Sequence, residues 1–65
     1  MTLLTWCDLL DGERFEVWDA RHTYGAKAPY YVRFTVSGVT VNERPHQTAI
    51  SARDDFERVV EEKTI

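Results

Sequence analysis

Cys7, His22 and His46 are the side chains in this 65-residue chain best suited to nucleophilic or metal chemistry, and their spacing works against both. A zinc or related centre draws on cysteines and histidines a few positions apart, so that one turn or helix face presents them together. Here the two histidines are 24 positions apart, and no C-x-x-C or H-x-x-x-H pattern occurs. Neither a metal nor a cofactor is expected. Nucleophilic catalysis by Cys7 would need a base and an orienting third group close by. Read as helical, the first segment places Cys7 on an apolar stripe with Leu3 and Leu10, where a cysteine acts as a small core filler. Asp54-Asp55 and Glu61-Glu62 are paired carboxylates, but acid–base work needs environments that push their pKa values apart. They fall on the polar side of an amphipathic helix and read as solvated charge. Gly12, Gly25 and Gly38 stand singly in separate turns, so no glycine-rich phosphate loop is present. No catalytic residue is assigned, and the expectation is a protein that is not an enzyme.

The aromatic and arginine residues are more informative. Trp18, Tyr31 and Arg33 fall on strand positions out of phase with the valines around them, and these residue types dominate protein-binding hot spots. The acidic helix surface of Asp54, Asp55, Glu61 and Glu62 is a second candidate for binding protein, by mimicry of nucleic acid in a partner's basic groove. The alternative function, a nucleic-acid-binding module, would use Arg21, Tyr24, Lys27, Tyr30 and Arg44. The net charge of −3 hides a sign pattern: −4 over residues 1–20, +3 over 21–50 and −2 over 51–65. Nucleic-acid binders that work through phosphate neutralisation carry a basic balance. A pI near 5.2 argues against that role, although the basic middle segment keeps it in view.

These residues must be positioned by very few elements. A chain of this length forms one domain over 1–65, burying about 60% of its unfolded surface. Residues 30–44 read as a β-hairpin with a two-residue loop at Ser37-Gly38. Strict alternation sets Val36 opposite Val39 and Phe34 opposite Val41, with Val32, Phe34, Val36, Val39 and Val41 on one face. Residues 13–22 form a further strand, and 23–29 a loop closed by Pro29. From Thr48 or Ser51 onward the chain reads as a helix with Ala49, Ala52, Phe56, Val59 and Val60 on one face. Residues 2–11 fit a short helix, capped by Thr2 and closed by Gly12, or a strand that turns at Asp11-Gly12.

The fold expected is α+β, a three-stranded antiparallel meander packed by a C-terminal helix, with a short N-terminal helix or strand. Phe34 and Phe56 are expected among the most buried residues. The α-β-β-β-α order resembles double-stranded-RNA-binding domains in outline alone, because the basic helix start those domains need is here Ser51-Ala52-Arg53-Asp54-Asp55.

One cysteine forms no internal disulfide, which fits a reducing, cytoplasmic setting. No run approaches the ~18 apolar residues of a membrane span, and no signal segment is evident. The functional expectation is a small acidic module that binds another protein, an inhibitor or regulator of the kind a phage or mobile element carries. The strand edges leave pairing with a second copy open.

Overall fold

The computed structural model describes residues 1–64, with side chains over 1–63. Four strands run in sequence order as an antiparallel meander: β1 (Thr2–Asp8), β2 (Glu13–Asp19), β3 (Tyr30–Val36) and β4 (Val39–His46). The helix α1 (Ala49–Thr64) follows and packs across β2, β3 and β4. The α+β class and the C-terminal helix are as expected from the sequence. The three-stranded sheet is not, and of the two readings of residues 2–11 the strand holds and the helix does not: residues 2–8 form a fourth, edge strand, and the resemblance in element order to an RNA-binding domain goes with the lost helix.

The turn chemistry explains this. Instead of a two-residue turn at Asp11-Gly12, the chain makes a short 3-10 turn over Leu10–Gly12, with Asp11 and Gly12 both at positive φ. Leu9 N donates to Glu13 O at 2.7 Å, closing the loop. The longer connection pairs Asp8 with Arg14, Trp6 with Glu16 and Cys7 with Phe15. In that register Asp8 faces Arg14 and Cys7 joins Phe15 on the core face, whereas a tight turn would have set Asp8 against Phe15. Gly12 is required here. Its φ is +76°, and a Cβ on it would lie 3.2 Å from Ser37 Oγ, where the β1–β2 and β3–β4 turns meet.

The Ser37-Gly38 turn forms as read, both residues having positive φ as a tight hairpin turn demands. Val36 pairs with Val39 and Thr35 with Thr40. The register then slips by one residue: Phe34 faces Asn42 rather than Val41, and Arg33 faces Glu43. This β-bulge turns the rest of β4 over, because a one-residue slip sends every following side chain to the opposite face. Val41 is left 55% exposed. In exchange, Glu43 meets Arg33 on one face of the sheet, while Arg44 and His46 meet Asp55 of α1 on the other.

The core lies between the sheet and α1. Phe15, Val17 and Val32 are buried there with Ala52, and Leu9, Tyr30, Phe34, Phe56, Val59 and Val60 pack around them. Phe15 and Phe34 stack with ring centroids 4.6 Å apart. The expectation that Phe34 and Phe56 are the deepest residues is corrected: both are half-buried, and the centre belongs to Phe15, Val17, Val32 and Ala52. For Phe34 the cause is the bulge, which sets polar Asn42 rather than Val41 beside it. Thr48 is the helix cap, its Oγ1 accepting from Ser51 N at 3.1 Å. Among the described residues no helix is long and apolar enough to cross a membrane.

Candidate functional site

One face of the sheet carries α1. The other is covered by no helix or strand among the described residues, and its side chains form three rows across the strands. The middle row runs Trp6, Glu16, Arg33, Glu43 from β1 to β4. On one side lies the row Asp8, Arg14, Thr35, Thr40, and on the other Leu3, Trp18, Tyr31, Pro45. Alternation in β2 and β3 puts these residues out of phase with the buried Phe15, Val17 and Val32.

Opposite charges interlock along these rows. Arg14 Nε donates to Asp8 Oδ1 at 2.7 Å, and Arg14 Nη1 lies 3.5 Å from Glu16 Oε2. Arg33 Nη2 is 2.7 Å from Glu43 Oε2. Both guanidiniums also lie over indole rings, Arg33 4.9 Å from the Trp18 centroid and Arg14 5.5 Å from that of Trp6. Such stacking contributes about 0.5–1 kcal/mol at exposed sites and more when water is excluded. The hydrogen bond from Arg14 holds the Asp8 carboxyl below the ordinary carboxylate range, and the same bond raises Arg14.

Glu16 lies at the centre of the face and is only 8% exposed, although no element covers it. Flanking rings and guanidinium stems exclude water, and Trp18 Nε1 donates to Glu16 Oε1 at 2.9 Å. A carboxylate so desolvated needs these donors. Around it, Asp8, Arg14, Trp18, Arg33, Thr35 and Thr40 line a shallow concavity of about 330 Å³.

The residues singled out from sequence divide as follows. Trp18, Tyr31 and Arg33 share this face. The Tyr31 hydroxyl accepts from the amides of Lys27 and Ala28 at 3.0 and 3.1 Å, so it fastens the β2–β3 loop. Of the acidic helix residues, Asp54, Glu61 and Glu62 are exposed on α1, while Asp55 is half-buried against β4, held by Arg44 and His46. The basic set is dispersed. Arg21 is held by Asp19 through several short contacts, and this lowers the Asp19 pKa. Arg44 is ion-paired with Asp55 at 2.6 Å, Tyr30 packs on the core, and Tyr24 and Lys27 are exposed on the loop.

Trp6, Asp8, Arg14 and Glu43 were missed from the sequence as members of this face, whereas alternation alone puts Glu16 on the Trp18 side of β2. Trp6 and Asp8 were obscured by the helical reading of residues 2–11, and Glu43 by the bulge. Arg14 could have been found, since it alternates in β2 with Glu16 and Trp18. Among the described residues no group of three or more His, Cys, Asp or Glu side chains converges on a metal position. Comparison with family models, curated proteins and solved structures finds no match to this chain.

Proposed function

We propose that this chain is a small protein-binding module, an inhibitor or regulator of another protein, working through the open face of its sheet. The observation that carries this reading is the pair of arginine-capped tryptophans, Trp18 with Arg33 and Trp6 with Arg14, on a face that nothing else in the described fold covers. Trp and Arg are the residue types that anchor interfaces. Arg33 is held by Glu43 and by the ring of Trp18 before any partner arrives, so little side-chain freedom remains to be lost on binding. Strand spacing and rise give the face dimensions of about 19 by 23 Å. A standard interface buries about 800 Å² per partner, so a partner also reaches past the rows; within them Trp6, on edge strand β1, is 52% exposed.

The charge pattern favours protein over nucleic acid. A phosphate backbone gains affinity by releasing mobile counterions. Here the counterions of Arg14, Arg21, Arg33 and Arg44 are the protein's own carboxylates, which cannot diffuse away.

The test is affinity capture from the native host's lysate, with and without nuclease, using three baits: the parent chain, Trp18→Ala/Arg33→Ala, and Asp54→Asn/Glu62→Gln. Losing an anchor costs about 2 kcal/mol, or roughly 30-fold in affinity. The expected result is a protein held by the parent and helix-surface baits, lost from the sheet-face bait and indifferent to nuclease. A partner lost only from the helix-surface bait, or only after nuclease, would overturn the reading. Circular dichroism melts establish that all three baits are folded.

A further inference from the structure

On the helix-bearing side, where β4 ends against the first turns of α1, a second constellation remains unused by the sheet-face reading. His46 lies between two side chains one helical turn apart. Its Nδ1 is 2.7 Å from Ser51 Oγ, and its Nε2 is 2.8 Å from Asp55 Oδ2. The other Asp55 oxygen is held by Arg44 Nη2 at 2.6 Å. We propose that Ser51 is an activated nucleophile that accepts an acyl group from a small ester, with His46 as its general base and Asp55 as the group that orients the imidazole. This site is separate from the sheet face and does not rest on the binding reading.

With the imidazole neutral, hydrogen-bond chemistry gives the relay one direction. A carboxylate only accepts, so in the neutral ring Nε2 carries the proton and donates it to Asp55. Nδ1 is then a bare lone pair, and the Ser51 hydroxyl must donate to it. The serine proton is thus already aimed at a base, while the remaining lone pairs of Oγ are free of it. Serine, imidazole and carboxylate in line are recognised by these roles and not by chain order, and either ring nitrogen can serve as the base. A mechanical tie between β4 and α1 needs only Asp55 and its two partners. It does not call for a hydroxyl on the far nitrogen.

The surroundings suit an acyl donor. Ser51 is exposed and opens on a concavity of about 680 Å³ that Pro45, Thr48, Ile50, Asp54 and Arg58 also line. The first amides of a helix have no partner within it. Here Thr48 takes those of Ser51 and Ala52, so in this proposal any backbone stabilisation of a developing oxyanion falls to the amides of Ala49 and Ile50 that precede them. In the reaction, Ser51 Oγ bonds to the carbonyl carbon as its proton moves to Nδ1. The tetrahedral adduct then breaks the ester C–O bond, and the Nδ1 proton passes to the departing alkoxide or aryloxide. Water repeats the sequence to release the acid. The concavity is open and has no deep acyl pocket, which restricts the substrate to small acyl groups on good leaving groups.

The experiment exposes the folded protein to p-nitrophenyl acetate and, separately, to a fluorophosphonate, followed by intact mass and peptide mapping. The expected result is one adduct per chain, on Ser51, with a matching burst of p-nitrophenolate. Ser51→Ala leaves the Asp55 contacts in place and abolishes the adduct. His46→Gln retains an amide donor for Asp55 and slows labelling at least ~100-fold, the lower end of what a general base contributes. Absence of an adduct, modification at Cys7 or at lysines, or equal labelling of His46→Gln would overturn the proposal.

Discussion

Phe15→Ala is the substitution that most directly tests the packing. Phe15 is 6% exposed and sits in the row Cys7, Phe15, Phe34, Asn42 on the helix-bearing face, its ring stacked on Phe34. Removing a buried phenyl ring costs about 3–5 kcal/mol, including the cavity left behind. At roughly 0.05–0.15 kcal/mol per residue, a chain this short has about 3–10 kcal/mol of total stability. The variant therefore loses from a third of its stability to all of it. Phe34→Ala should cost less, because Phe34 is half-buried beside Asn42 and Lys63. Urea unfolding followed by tryptophan fluorescence reads both, since Trp6 and Trp18 lie on the face away from the helix. With a slope near 1 kcal/mol/M for a small domain, the Phe15→Ala midpoint falls by about 3–5 M, or the folded baseline disappears. A shift below about 0.5 M, or a larger loss at Phe34 than at Phe15, would refute the assignment of the core to the centre of β2.

Two further outcomes follow from local contacts. Thr48→Ala removes the helix cap and should cost about 1 kcal/mol, read as a drop of several degrees in melting temperature, while Ser51→Ala, which loses no cap and only the exposed hydrogen bond to His46, falls less. In acid, Asp8 and Asp19 have pKa values lowered in the folded state by hydrogen bonds from Arg14 and Arg21. The stabilisation they give is fully present above the unfolded value of ~3.9 and is lost as pH falls through the lowered folded values. An NMR titration should show both carboxyl midpoints below that reference, and Arg14→Gln should return Asp8 to it while leaving Asp19 unmoved.

Much of the sheet was legible because β2 and the first half of the hairpin obey simple alternation. Val32, Phe15 and Val17 point one way, and Arg33, Glu16 and Trp18 the other. The helix was legible from its period and from the caps available at Thr48 and Ser51. Residues 2–8 were not. Leu3, Trp6, Cys7 and Leu10 recur at helical spacing, and what makes a strand of them is pairing with β2 through a 3-10 turn that depends on Asp11 and Gly12 both taking positive φ. Propensity gave way to tertiary pairing. The β1 quarter of the candidate face, Leu3, Trp6 and Asp8, was hidden with that strand.

The bulge after Phe34 decides the β4 edge of that face, and energetics explain why it forms. Continuous alternation would bury Val41, worth about 1.5–3 kcal/mol if complete, but it would also turn Glu43 toward the core beside Val32, with no cation opposite it. Slipping one residue gives up the valine and satisfies charge on both sides of the sheet. Glu43 reaches Arg33, and Arg44 and His46 reach Asp55. Arg33 is thereby fixed over Trp18 on the open face, and His46 is laid between Ser51 and Asp55 on the helix face. One inserted residue at Val41 thus positions both sites. A variant that restored strict alternation in β4 would disturb binding at the sheet face and labelling at Ser51 together, while substitutions within either site alone would leave the other intact.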